Sequence, residues 1–177
     1  MNLLRILLHR SIALLRSQSA SLILLVFATL CVPATAEQAD RILVLKSERK
    51  MVLYSGKTVL RTYKVALGSD PTGQKNRQGD HRTPEGRYVI DSRHANSRFY
   101  RALHISYPNA EDRAHAAKLG VSPGGDIMIH GLPNGFGWIG SKHLLRDWTD
   151  GCIAVTNAEI EEIWRAVPSG TPIEIRP

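Results

Sequence analysis

Between Arg41 and Leu67 the chain sets three short runs rich in branched apolar side chains between tight polar breaks. Arg41–Lys46 ("RILVLK") is followed by "SERK", Met51–Tyr54 by Ser55-Gly56-Lys57, and Thr58–Leu67 by a glycine. Runs of this length bounded by turn residues predict a meander of antiparallel strands rather than helices.

The rest of the chain extends that reading. Gly68–Gly86 carries glycine, proline and charge with almost nothing to bury, which predicts a long surface loop. Strands are expected at Arg87–Asp91, around Ala102–Ser106, at Asp126–His130 and at Thr171–Arg176. Gly131–Gly140 ("GLPNGFGWIG") reads as an aromatic, glycine-rich loop. One helix should start at Asn109, whose side chain can accept from free end amides, with Glu111 and Asp112 in its first turn and Gly120 ending it. A second follows Thr156, because Thr156 and Glu159 have the capping-box spacing. It places Ile160, Ile163, Trp164 and Val167 on one face. The expectation is one β-rich domain with two short helices, without internal repeats.

The amino end reads differently. Arg5, Arg10 and Arg16 precede the apolar stretch "SLILLVFATLCV", and Ala34-Thr35-Ala36 supplies small residues at cleavage-type positions. Residues 1–36 therefore read as an export signal and residues 37–177 as the working domain. Membrane contact is expected only through that segment, if it stays uncleaved, and the location is the periplasm or cell envelope. The formal charge of +7, less those three arginines, is +4. A basic domain can serve nucleic acid, but no arginine-rich block, zinc-finger spacing or aromatic ribonucleoprotein motif accompanies the charge. Export favours an anionic envelope polymer as the partner.

One of the two cysteines, Cys31, falls in the leader, so Cys152 is the single thiol of the working domain. A lone thiol in an oxidising compartment is either a buried, inert side chain or a reactive one. Reactivity needs a group that removes its proton. His130 is the best candidate, because it ends an apolar strand before Gly131, whereas His143 lies in the loop that follows. A zinc site built from His130, His143 and Cys152 lacks any close ligand pair.

Two ordered segments carry a resemblance. "IMIHGLPNGFGWIG…DWTDGCIAVTN" resembles the signature of the L,D-transpeptidases, the YkuD-like domain, in which a strand ends in His-Gly and a Ser/Thr-x-Gly-Cys turn follows. "KVALGSDPTG…HRTPEGRYVI" resembles that family's Val-x-x-Gly and Thr-Pro-x-Gly-x-Tyr/Phe-x-Ile segments. Together they span about Arg41 to Pro177, nearly all of the working domain.

The resemblance implies a β-sandwich-like fold, a Cys/His centre acting on peptidoglycan stem peptides, and no metal or organic cofactor. It makes Cys152 the acylated nucleophile, His130 the base, Gly131 the residue that orients the base, and the amides of Gly151 and Cys152 the oxyanion donors. Arg82, Lys142, Arg146 and Trp148, cationic or aromatic positions flanking the motifs, are the candidate substrate contacts. The acceptor is left open among a second stem peptide, an envelope protein and water. A hydrolase using the same thiol stays as an alternative. So does a non-catalytic wall-binding module using Lys75, Arg77 and Arg82. The chain departs from the family at Asp150 and Ala154, where histidine and arginine are common. Asp150 is expected to point outward, held by Lys142 or Arg146.

Overall fold

The structure, a computed structural model, describes residues 37–177, so the export-signal reading of residues 1–36 lies outside the described residues. The chain runs β1 (Arg41–Leu45), β2 (Lys50–Ser55), β3 (Thr58–Lys64), β4 (Gly86–Ser97), β5 (Tyr100–Ile105), α1 (Ala110–Lys118), β6 (Met128–His130), β7 (Ile153–Ala154), α2 (Asn157–Ala166) and β8 (Pro172–Arg176). The eight strands form one ladder in the order β3-β2-β1-β8-β4-β5-β6-β7. The meander β1–β2–β3 is antiparallel, as the turn spacing predicts. Two pairs are parallel, β1 with β8 and β6 with β7. Both join segments far apart in the chain, which turn residues cannot announce.

β4 is the hinge of the architecture. Its first residues, Gly86–Val89, pair with β8, and its later ones pair with β5 across register shifts at Ile90/Ser92 and His94/Ser97. Such irregularities increase local twist and bend a strand. The two halves of the ladder consequently curl around one core. Ile42 and Val44 of β1, Ile173 and Ile175 of β8, Ile129 of β6 and Ile153 of β7 all belong to it. Removing side chains of this size from water is worth about 1.5–3 kcal/mol each, so this shared core holds the halves together.

Among the described residues three short helices are present rather than two. α1 starts at Asn109, whose side chain accepts from the amides of Glu111 and Asp112. It ends at Leu119, ahead of left-handed Gly120. A 3-10 stretch, Gly137–Leu145, occupies part of what reads in sequence as the aromatic loop, and Gly140 (φ 52°) kinks it. Its glycines and lack of a capping side chain hide it from sequence rules. In α2, Thr156 Oγ1 accepts from the Glu159 amide while Glu159 Oε2 accepts from the Thr156 amide at 2.8 Å. The helix buries Ile160 and Ile163, and Trp164 covers the core edge beneath Arg93 and Arg101. No helix among the described residues is long and apolar enough to cross a membrane.

The cap on α2 is a quantitative test of this packing. Thr156→Ala removes the hydroxyl that accepts from the Glu159 amide and donates to Glu159 Oε2 at 2.7 Å, and is expected to cost about 1 kcal/mol of stability, read from the urea midpoint. A midpoint equal to wild type would mean that the capping box does not hold the helix start.

Candidate active site

The parallel pairing of β6 with β7 sets Ile129 opposite Ile153 and His130 opposite Ala154. Alternation sends Ile129 and Ile153 into the core and leaves His130, Ala154 and Cys152 on the other face. Cys152 lies level with Met128, one strand spacing across and two residues before His130, so the two backbones are about 8 Å apart. The thiol is half-buried and donates to the Asp126 carbonyl at 3.5 Å.

His130 is only 3% exposed and lies against Phe99 (ring centroids 4.4 Å apart) and Trp148 (5.8 Å). Its Nδ1 is 2.7 Å from the Gly131 carbonyl. A carbonyl only accepts, so Nδ1 carries the proton and Nε2 keeps the lone pair. Burial pushes the imidazole pKa down to about 4. The bond to Gly131 opposes that shift, and His143 adds to it. The Cys152 thiol moves the other way. Burial raises its pKa, the Met128 backbone hydrogen bond lowers it, the carboxylates of Asp150 and Asp126 raise it, and Lys75 lowers it. At neutral pH the resting pair is therefore a neutral imidazole and an un-ionised thiol, not an ion pair.

The turn before Cys152 is held by Thr149. Its hydroxyl donates to the Cys152 carbonyl at 2.7 Å and accepts from the Gly151 amide at 3.1 Å. The Gly151 amide, expected as an oxyanion donor, is thus already engaged, because a threonine two residues back can close a local turn. Gly151 has φ +133°, and a Cβ there would meet the Arg82 carbonyl oxygen at 2.6 Å. On the far side, Ala66 and Ala154 exchange both backbone hydrogen bonds at 3.0 and 2.8 Å.

The loop after His130 is braced by Asn157, which sequence reasoning missed. Asn157 Oδ1 accepts from the Leu132 amide at 2.8 Å, and a Cβ at Gly131 would lie 2.8 Å from the same oxygen. The Thr-Asn pair after the cysteine motif was the available signal, but it reads first as a helix cap. Phe99 was also missed, since nothing local marks a stacking role, and Thr149 stands in the quoted motif without its turn-closing role having been read from it.

Three of the four expected substrate contacts come together. Lys142, Arg146 and Trp148 line a groove of about 550 Å³ with Leu132, Pro133 and Phe136. His143 lines it too, buried, with its ring 6.5 Å from Trp148. Arg82 is elsewhere: its guanidinium binds Asp70 at 3.0 Å, and only its carbonyl reaches the cysteine turn. Lys75 is 4% exposed and bound to Asp80 at 2.7 Å, so the basic loop is partly folded inward and neutralised. Asp150 does point outward, but its partner is His81 Nδ1 at 2.9 Å, not Lys142 or Arg146. Arg49, from the β1–β2 turn, takes the neighbouring Asp147 at 3.0 Å.

The close approach at Gly151 gives a sharp expectation. Gly151→Ala combines a positive φ with a backbone clash and should cost about 1–3 kcal/mol, read from chemical denaturation. A variant as stable as wild type would show that the turn relaxes away from Arg82 freely.

The L,D-transpeptidase catalytic domain model matches residues 39–175. YafK of Escherichia coli (strain K12), whose name leaves its L,D-transpeptidase activity provisional, is 35% identical over 131 residues, covering 70% of this chain and 45% of YafK. The helical cell shape determining protein Pgp2 of Campylobacter jejuni superposes with a TM-score of 0.62 at 25% identity, covering 79% of this chain and 48% of Pgp2. Bd1075 of Bdellovibrio bacteriovorus gives 0.54 at 26%, covering 80% of this chain and 49% of Bd1075. The chain thus spans about half the length of these relatives. With nearly all of its described residues inside the family model, this chain belongs to the L,D-transpeptidase (YkuD) family.

Proposed function

We propose that the protein is an exported, cysteine-dependent acyltransferase acting on peptidoglycan stem peptides. The observation that carries this reading is the fixed tautomer of His130, whose free Nε2 belongs to the same sheet face as the Cys152 thiol. In the first half-reaction the Cys152 S–H proton passes to His130 Nε2 as sulfur attacks the carbonyl that follows the L-centre of diaminopimelate. The tetrahedral oxyanion takes the Cys152 amide. The C–N bond then breaks, the His130 proton goes to the departing D-alanine amine, and the peptide stays on sulfur as a thioester. Stem peptides are anionic, which suits the Lys142/Arg146 groove beside His130 and Trp148.

The thioester then passes to an acceptor. A second stem-peptide amine gives a 3→3 crosslink, a lysine of an envelope protein gives an anchored protein, and water gives a hydrolase. Wall remodelling of this kind fits the kinship with Pgp2, described as a determinant of helical cell shape. The wall-binding alternative is weakened at Lys75, whose charge is spent on Asp80.

The decisive experiment is mass spectrometry of the protein with a tetrapeptide muropeptide. Wild type should gain the acyl adduct, and Cys152→Ala should not, with an unchanged unfolding midpoint. His130→Gln should slow adduct formation by about 10²–10⁴-fold. An adduct on Cys152→Ala at the wild-type rate would remove the thiol from the mechanism.

The pH dependence has a definite sign. The base works only when neutral, and its pKa is depressed to about 4. Acylation kcat/KM should therefore rise as pH rises through about 4 and show no limb in the usual histidine range. Iodoacetamide labelling of Cys152 should be slow at neutral pH and climb into the alkaline range, because the thiol pKa is raised. Fast labelling at neutral pH would indicate a resting ion pair and overturn the neutral-pair mechanism.

A further inference from the structure

The groove and His130 lie toward the C-terminal end of β6. The other side of the thiol, toward the start of β6, is built differently. Asp126, which offers its carbonyl to Sγ, and Asp150, two residues before Cys152, both hold side chains that are 92% exposed. Both carboxylates act on the thiol, each raising its pKa.

An imidazole is held on the acidic side. His81 Nδ1 lies 2.9 Å from Asp150 Oδ1. A carboxylate only accepts, so Nδ1 donates this bond, and in the neutral imidazole the lone pair then sits on Nε2. The ring is half-exposed, and the backbone that carries it is closely packed. The His81 carbonyl is so close to Gly68 that a Cβ there would sit 2.1 Å from it, and the next carbonyl, of Arg82, fills the space a Cβ would need at Gly151. The Asp80 carboxylate beneath accepts from the amides of Asn76, Arg77 and Arg82 at 2.7, 3.0 and 3.1 Å. His81 itself has φ 57°, a backbone state uncommon for a residue with a Cβ. Strained positions held by packing of this kind cluster at functional sites.

We propose that His81, oriented by Asp150, is the base for the acceptor amine in the second half-reaction, while His130 serves the first. The acceptor arrives as an ammonium, attracted by Asp126 and Asp150, and gives one proton to His81 Nε2. The neutral amine attacks the thioester carbonyl, a C–N bond forms and the C–S bond breaks. The second nitrogen proton ends on the departing sulfur, and His81 returns its proton to solvent. The Asp150 carboxylate also opposes premature ionisation of Cys152.

This inference rests on Cys152 being the acylated thiol, and the test keeps the two apart. The full chain is acylated with a tetrapeptide muropeptide, excess donor is removed, and thioester breakdown is followed by mass spectrometry after adding a diaminopimelate-containing acceptor peptide. His81→Asn and His81→Gly suit the left-handed backbone, and unfolding midpoints check that both fold. Acylation should proceed nearly as in wild type, whereas aminolysis should fall by about 10²–10⁴-fold. Imidazole added to His81→Gly should restore part of the aminolysis rate, which a purely structural role for His81 would not allow. Aminolysis at the wild-type rate, acylation and aminolysis falling together, or absence of imidazole rescue would each overturn the assignment. If wild type forms no adduct, the reading of Cys152 fails first and this one with it.

Discussion

The two-residue pairing of β7 with β6 is the contact on which the rest of the site depends. A strand so short cannot hold its place on its own hydrogen bonds. It is fixed from three directions: Ile153 is buried among core isoleucines, Ala154 is bonded twice to Ala66, and the Val155 amide donates to the His130 carbonyl at 3.0 Å. Each fixes the height of Cys152 relative to His130. The curled ladder, the bend in β4 and the packing of α2 can be read as the means of bringing these short segments together.

Close backbone approaches do the remaining positioning. Gly68, Gly131 and Gly151 each sit where a Cβ would collide with a carbonyl or an amide side chain. At Gly151 the positive φ adds a second reason for glycine. The loop from Gly68 to Gly86 consequently forms a wall of the site, with Thr83 buried and its hydroxyl accepting from the Gly68 amide at 3.0 Å.

Electrostatically, burial favours the uncharged forms of both His130 and Cys152. Burying a lone charge costs more than burying a neutral group, so desolvation lowers the His130 pKa and raises that of Cys152. The carboxylates of Asp150 and Asp126 push the thiol further in the same direction. In the proposed reaction, charge develops on this pair only when a substrate carbonyl is present to receive the electron pair.

Local chemistry was legible in the sequence. The antiparallel meander, the Asn109 cap and the Thr156/Glu159 capping box all depend on residues within a few positions of one another, and each is where the residue pattern puts it. The His-Gly strand end and the Gly-Cys turn were legible for the same reason, and so was the family they mark. Partnerships were not. Asp150 meets His81 across 69 residues and Arg49 meets Asp147 across 98. His143 lies buried beside Trp148, and the Arg82 guanidinium is tied to Asp70 outside the groove. A side chain's charge is written in the sequence, but its partner depends on which distant backbones the core brings together, and only the tertiary structure decides that.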